Sequence, residues 1–232
     1  DLRSRWGTQL WPLSSIDWSS QPPVLRSGRV FRRSRTVVVS KAQAICEFRP
    51  VNGFLAQFSP NDQIALLRGD VLLKSQTNQD GGAVTAHMYV PLARPQIWPQ
   101  VTNYSCWTQY FPNIVHSEVL ETVKTASQRY RRLYQVGRKG FMLLTAQVEI
   151  YLKVVETTCE AIQFRLERGT FSHFAADLHL QDFRQGTLLS YSVQAAPTIP
   201  VPSFLIEQAM KTDLPGNMKQ MRRVLCARYG VA

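Results

Sequence analysis

An alternation of apolar and polar residues runs through the second half of the chain and is its strongest pattern. A period of two predicts antiparallel strands with one covered face and one face in water. Three segments show it most clearly, with apolar positions at Ala146, Val148, Ile150, Leu152 and Val154; at Ile162, Phe164 and Leu166; and at Leu189, Tyr191, Val193 and Ala195. Residues 114–123 and 127–138 are also predicted to be strands, although their alternation is noisier.

The region before these strands predicts a hairpin and two short helices. A compact apolar segment, 64–75, leads into the turn-forming cluster 77–82. The strand that follows has its apolar positions on one face, at Val84, Ala86, Met88 and Val90. A short helix is then predicted to begin at Pro95 and to be interrupted near Pro99, with a second helical turn that ends before Pro112.

A long amphipathic helix is predicted at the end of the chain. Ser203 is suited to cap it, and its apolar residues recur at helical spacing, at Ile206, Met210, Leu214, Met218 or Met221, and Leu225. Pro215 and Gly216 are expected to kink or briefly break it. The order of elements predicts an α+β fold, in which a curved antiparallel sheet wraps around this helix.

Composition divides the chain into a basic N-terminal segment and a folded remainder. The net charge is +11, and the excess per residue is highest near the N-terminus. Residues 1–45 are rich in Ser and Arg and lack periodicity, which predicts a disordered basic segment, resembling either an organellar transit segment or a basic arm. Residues 46–81 are predicted to be a lead-in segment with a first strand. A hydrophobic content of 44% suffices for a sizeable core in the remainder.

The cysteines and the longest apolar runs bear on the compartment. Four cysteines lie far apart without a CxxC pair, which is neither a zinc signature nor a disulfide framework, so reduced thiols are predicted. No apolar run approaches the ~18 residues that a membrane-spanning helix needs. A cytoplasmic protein is therefore expected, or one of a plastid or other organelle if residues 1–45 are a transit segment.

The stretch HFAADLH, residues 173–179, is the strongest candidate for metal or acid–base chemistry. In a strand, His173, Asp177 and His179 point to the same side. However, the two histidines would stand roughly 20 Å apart, too far to share one metal. The opposite face is apolar, at Phe174, Ala176, Leu178 and Leu180, and is expected to lie under the helix. Neither a metal site nor a catalytic residue is predicted.

Three segments resemble the START-like (SRPBCC) superfamily of polyketide cyclases/dehydrases, lipid transporters and coenzyme-Q-binding proteins. They are WPQVTNYSCWTQYFPNIVHSEVLE, RLERGTFSHFAADLHLQDFRQGTLLSYSVQAAP and TIPVPSFLIEQAMKTDLPGNMKQMR. The likeness covers residues 82–229 and is nearest to members of the cyanobacterial and plastid type. It departs from the usual pattern at Ala176, where many members have an aromatic residue, and at Pro99.

The resemblance implies a helix-grip fold with a hydrophobic cavity between the sheet and the long helix. Such domains bind lipids, quinones, polyketides or pigments, mostly without a cofactor, and none is predicted here. The expected cavity lining is Trp107, Tyr110, Phe111, Val148, Ile150, Phe164, Phe174, Leu178, Tyr191, Met210, Met218 and Met221. Tyr191 is of particular interest, because a buried hydroxyl group needs a hydrogen-bond partner and a ligand carbonyl can provide it.

Three functions remain open at this point. The leading hypothesis is a non-catalytic, monomeric carrier of a quinone, isoprenoid, lipid or pigment-like molecule. The alternatives are a cyclase or aromatase that uses the same cavity, and a module associated with RNA or the ribosome through the basic run RYRRLYQVGRK, residues 129–139. A solvated sheet face explains this run with fewer assumptions, so no nucleic-acid partner is predicted. Peripheral contact with an anionic membrane is a further use for its charge.

Overall fold

The computed structural model describes residues 57–78, 81–124, 129–141, 144–198 and 203–231. The disordered segment predicted for residues 1–45 lies outside them. The helices are α1 (Pro60–Arg68), α2 (Arg94–Val101), α3 (Trp107–Tyr110) and α4 (Ser203–Ala227), with a 3₁₀ helix at Tyr104–Cys106. The strands are β1 (Val71–Asn78), β2 (Gly81–Val90), β3 (Ile114–Lys124), β4 (Arg129–Phe141), β5 (Leu144–Thr157), β6 (Ala161–Gly169), β7 (Phe171–Phe183) and β8 (Gly186–Pro197).

The eight strands form one curved antiparallel sheet in the order β1-β2-β8-β7-β6-β5-β4-β3. The predicted hairpin is present, since Val71 pairs with Met88 and Asn78 pairs with Gly81. The last strand, β8, lies between β2 and β7 and so joins the N-terminal hairpin to the other strands of the sheet. Helix α4 packs against β1, β2, β8 and α3. The predicted α+β helix-grip fold is confirmed.

The core lies on the inner face of the sheet, the side that faces α4. The inward residues of β2, Val84, Ala86, Met88 and Val90, are fully buried. Leu152, Val154, Ile162 and Phe164 continue this apolar layer on β5 and β6, as alternation predicts. From α4, Leu214, Met218, Met221 and Leu225 complete the core.

Two prolines that were expected to interrupt helices lie within them. Helix α2 continues through Pro99, and α4 continues through Pro215. Proline lacks the N–H that would bond to the carbonyl of Lys211 one turn earlier, so α4 lacks one backbone hydrogen bond there. Burial of Leu214 and Met218 on either side of Pro215 anchors the helix across this point. The predicted interruption at Pro99 and the predicted break at Pro215 are therefore wrong, because tertiary packing offsets the local cost. A kink at Pro215 stays a prediction.

Helix α1 occupies part of the predicted lead-in segment. The Ser59 hydroxyl accepts a hydrogen bond from the Asp62 N–H at 3.1 Å, and the Asp62 carboxylate accepts one from the Ser59 N–H at 3.1 Å. This capping box, with Pro60 in the first turn, begins the helix. Gly69 ends it in the left-handed conformation, with φ of 95°. The apolar segment predicted at 64–75 is thus divided between a helix and a strand.

The cysteines differ in state. Cys106 and Cys226 are free, whereas Cys159 is disulfide-bonded. The prediction that all four are reduced thiols is therefore wrong for Cys159. In the described part of the chain, no helix is both long and apolar enough to cross a membrane.

Candidate ligand-binding cavity

A cavity of about 360 Å³ lies between the inner face of the sheet and the N-terminal half of α4. Eight of the twelve residues predicted to line it do so: Trp107, Phe111, Val148, Ile150, Phe164, Phe174, Tyr191 and Met210. These residues come from α3, β5, β6, β7, β8 and α4, together with the segment after α3. The site therefore depends on four neighbouring strands and two helices and not on one local motif.

The other four predicted residues lie in the packed core and do not border the cavity. Leu178, Met218 and Met221 are completely buried. Tyr110 is also buried, and its hydroxyl donates a hydrogen bond to the Gln100 carbonyl at 3.2 Å. They face the inner side, but neighbouring side chains fill the space around them.

Fourteen further residues line the cavity and were not singled out from the sequence. They are Asn113, Ile114, Gln135, Gly137, Arg138, Leu152, Phe171, Val193, Ala195, Ile206, Ala209, Asp213, Leu214 and Asn217. The inward parity of Leu152, Val193 and Ala195 was visible in the alternation. The polar residues of β4 and α4 carry no comparable signal, since polar positions in a strand or helix ordinarily face water.

Aromatic rings form one wall of the cavity. Trp107 stacks on Phe111 at a centroid distance of 5.3 Å and an angle of 16°. The rings of Phe164 and Trp107 pack edge to face with their centroids 4.8 Å apart, and the centroids of Phe111 and Tyr191 are 5.5 Å apart. The indole N–H of Trp107 donates to the Val101 carbonyl at 2.9 Å, which fixes the ring and satisfies its polar group. This wall therefore offers a ligand mainly apolar surface.

Tyr191 supplies a polar group within this apolar surround. It is 7% exposed, and its pairing with Leu178 on β7 places it on the inner side of the sheet. Within the described residues, its hydroxyl has no hydrogen-bond partner. Burial raises its pKa, and the negative charge of Asp177 raises it further. The phenol is therefore neutral at physiological pH and available as a hydrogen-bond donor.

Other polar lining groups come from β4 and α4. Gln135 is buried, and its amide nitrogen donates to the Ser117 hydroxyl at 3.0 Å. Arg138 is exposed and donates to the Gln147 side-chain oxygen at 3.2 Å. Asp213 and Asn217 lie on α4 and are half-buried. The cavity thus combines an apolar aromatic wall with polar groups along other parts of its lining.

The histidines of HFAADLH lie on the opposite side of the strand. His173 and His179 are exposed, whereas Ala176 and Leu178 are buried, so the predicted assignment of the two faces is confirmed. Asp177 forms an ion pair with Arg165, with 2.8 Å between Oδ1 and Nη2. No cluster of metal-binding side chains occurs among the described residues.

The basic run on β4 is partly neutralised within the sheet. Arg131 pairs with Glu156 at 3.0 Å. Arg132 pairs with Glu167 at 2.8 Å and lies 3.6 Å from Glu121. These carboxylates reduce the net positive charge of the strand. Since contacts between basic side chains and phosphates supply most of the affinity of proteins for nucleic acids, the pairing weakens the case for a nucleic-acid partner.

Comparison with known protein families agrees with the helix-grip fold. Residues 90–222 match the sequence model of the family described as polyketide cyclase/dehydrase and lipid transport. The match covers more than half of the chain, and the chain belongs to this family. No curated protein matches it.

Solved structures of low sequence identity share the fold. A STAR-related lipid transfer protein from Xanthomonas axonopodis is 15% identical with a TM-score of 0.54, covering 67% of this chain and 93% of that chain. Human STARD10 is 12% identical with a TM-score of 0.55, covering 70% and 71%. The Zhui aromatase/cyclase from a Streptomyces species is 9% identical with a TM-score of 0.51, covering 66% and 94%. At such identities the likeness shows the fold alone.

Proposed function

We propose that the protein binds a hydrophobic small molecule in the cavity and carries it without transforming it. The observation that carries this proposal is the cavity of about 360 Å³ with its aromatic wall and the Tyr191 hydroxyl. Small-molecule sites are typically concave, mostly apolar and furnished with a few polar groups that fix orientation. Membership of a family described by cyclase, dehydrase and lipid transport activities supports a ligand of this kind.

The lining also favours a class of ligand. Trp107, Phe111 and Phe164 suit a flat ring system or an isoprenoid chain, since both bury well against aromatic surfaces. The neutral Tyr191 phenol donates to a carbonyl oxygen of the ligand. A quinone, or a pigment-like molecule that carries a ring carbonyl, meets both requirements. The exposed, positively charged Arg138 in the lining supports contact with an anionic membrane during loading or delivery.

The first experiment asks whether the protein carries such a molecule. Native mass spectrometry and solvent extraction of protein purified from its source should reveal a bound apolar compound in stoichiometric amount. A well-loaded sample that contains only the apoprotein contradicts the proposal.

A pair of neighbouring substitutions tests whether the cavity is the binding site. Val193 lines the cavity, whereas the next residue along the alternating strand, Gln194, faces the other side. Val193→Trp should fill the cavity and abolish binding of a neutral fluorescent naphthylamine probe. Gln194→Trp introduces the same side chain on the outer face and should leave binding unchanged. Equal binding by both variants would place the ligand elsewhere.

Tyr191→Phe tests the polar contact in the cavity. Loss of one neutral hydrogen bond costs about 1 kcal/mol, so affinity for a ligand with a ring carbonyl should fall roughly fivefold. Affinity for a hydrocarbon of similar size should not fall, because it cannot accept a hydrogen bond. An equal loss for both ligands would indicate a packing defect instead.

A cyclase or aromatase that uses the same cavity is the second candidate. The observation that favours it is the polar part of the lining, where Gln135, Asp213 and Asn217 accompany Tyr191. Such an enzyme requires a polar residue with a role in turnover, so Tyr191→Phe should abolish product formation and not merely weaken binding. Incubation with linear polyketide analogues that never yields a cyclised product rules this candidate out.

A further inference from the structure

A second concavity, of about 370 Å³, lies on the outer face of the sheet. It crosses β1, β2, β8 and β7, so the sheet separates it from the apolar cavity. Except for Ala83, the described residues that line it have polar side chains, and none of them is a carboxylate. Family membership and the cavity described above give this surface no role.

Strand register brings the polar groups together in two rows. Lys74, Thr85 and Ser192 are cross-strand neighbours on β1, β2 and β8. In the adjacent row, His87 pairs with Ser190, and Ser190 pairs with His179 on β7. Directly opposed residues in a sheet have Cβ atoms about 5 Å apart and point to the same side. The six side chains therefore converge on one small area.

Hydrogen bonds within the rows leave donors available to a ligand. The hydroxyl groups of Thr85 and Ser192 are 2.8 Å apart, and the Ser190 hydroxyl lies 2.8 Å from Nδ1 of His87. A hydroxyl–hydroxyl pair uses only one of its two protons, so the accepting hydroxyl keeps an O–H to donate outward. When Nδ1 of His87 is the donor, Ser190 likewise keeps its own proton.

The charge of the concavity is positive. Lys74 places its ammonium 4.8 Å from the centroid of the Phe58 ring and forms no ion pair with any residue that the structure describes. The carboxylate that register places beside Ser192 belongs to Asp177, which is already paired with Arg165. Burial first, and the charge of Lys74 second, lower the pKa of His87 to about 4, so this ring is neutral at physiological pH. The positive charge therefore centres on the Lys74 ammonium.

We propose that this outer-face concavity binds a small oxyanion of the phosphate type, held by the Lys74 ammonium and by hydroxyl donors of the Thr85–Ser192 and His87–Ser190 pairs. Phosphate oxygens accept hydrogen bonds from ammonium and hydroxyl groups, and charge-assisted bonds of this kind are the stronger ones. By register, the carboxylate next to this site among the described residues is that of Asp177, and its ion pair with Arg165 reduces the repulsion that an anion would meet.

The four histidines of the chain provide a built-in test. His87 and His179 line the concavity, whereas His116 and His173 lie outside it. Inorganic phosphate, titrated at neutral pH against sodium chloride of matched ionic strength, should shift the ring resonances of His87 and His179 in NMR spectra. Those of His116 and His173 should stay in place. Equal shifts of all four rings overturn the proposal, whereas an absence of any shift excludes free phosphate as the ligand.

Two lysine substitutions give a matched comparison. Lys74→Gln should weaken phosphate binding about tenfold or more through loss of a charge-assisted contact. Lys153→Gln removes a lysine that lies over the Tyr130 ring, outside the concavity, and should leave the affinity unchanged. Equal effects of the two variants would reduce the binding to nonspecific attraction and overturn the site.

A second arm of this experiment decides whether the oxyanion is free phosphate or a lipid headgroup. A response to inorganic phosphate identifies a soluble ligand, whereas a response confined to vesicles that contain phosphatidic acid identifies a lipid headgroup. Failure of His87 and His179 to respond to either probe refutes the proposal. Because probe binding in the cavity is measured separately, this failure would leave the carrier function untouched.

Discussion

Replacement of Arg94 by methionine should cost much more stability than the same change at an exposed arginine. The Arg94 guanidinium donates to Asp182 through Nε at 2.9 Å and Nη2 at 2.6 Å, and through Nη1 to the Cys159 carbonyl at 3.2 Å. The two side chains are only 7% and 15% exposed. Arg94→Met leaves the Asp182 carboxylate buried without its partner, which costs about 3–5 kcal/mol.

Arg132→Met is the matched control for this prediction. Arg132 also forms carboxylate pairs, with Glu167 and Glu121, but its side chain is 44% exposed. Water screens such pairs and rehydrates whichever partner remains, so the free energy of unfolding should change little. Urea-induced unfolding followed by tryptophan fluorescence measures both variants.

A double substitution separates the charge penalty from the lost packing. Asp182→Asn removes the uncompensated charge, so Arg94→Met combined with Asp182→Asn should be less destabilised than the sum of the single changes. Coupling on the order of 1–3 kcal/mol is expected for partners in direct contact. Equal losses for Arg94→Met and Arg132→Met, or strict additivity of the two changes in the pair, would refute the assignment of this stability to a buried ion pair.

Two further predictions concern backbone packing and pH. Gly186→Ala should destabilise the fold by about 2 kcal/mol, because its Cβ would clash with the Val90 carbonyl oxygen. Gly216→Ala has free space around it in α4 and should stabilise the fold by about 1 kcal/mol. Urea unfolding that ranks the two variants in reverse contradicts this. The pKa of His87 is lowered from 6.5 to about 4, so the unfolded chain takes up its proton first and stability falls as pH drops from 6.5 towards 4. The loss should reach about 2 kcal/mol after screening by the adjoining open concavity, and His87→Gln should abolish it while His173→Gln should not.

Alternation predicted most of the sheet because the strands bury one face in a shared apolar core. It gave the inward residues of β2, β5, β6 and β8, and most of these belong to the core or pack against it. Burial on the outer face was harder to predict, since a period of two cannot show that a second layer of the fold covers that face. His87 belongs to the polar parity of β2 and is nevertheless buried, with the Phe58 ring at 5.0 Å and α1 packed against the same strand.

Local signals explain the errors in the helices. The sequence SPND contains the capping box of α1, but the apolar run that follows favoured the prediction of a strand for the whole segment. At Pro99 and Pro215, the sequence shows the local cost of proline and not the packing that offsets it.

The cavity could be located by parity, but its boundary could not be predicted. Tyr191 and Leu178 are cross-strand neighbours on the same inner face, yet Tyr191 borders open space and Leu178 does not. The difference depends on how α4 lies across the sheet, and two equally inward positions carry the same signal in the sequence. Whether the twelve predicted residues bind a ligand stays a prediction that the cavity variants test.

The alternation of β8 also has an evolutionary consequence. Tyr191 reaches the apolar cavity, while Ser190 and Ser192 on either side of it reach the outer-face concavity. Deletion of one residue upstream in this strand would reverse the direction of every later side chain, sending serines inward and the tyrosine outward. Lineages that keep both surfaces should therefore tolerate point changes in β8 but no single-residue insertions or deletions, so that length variation accumulates in the turns at its ends.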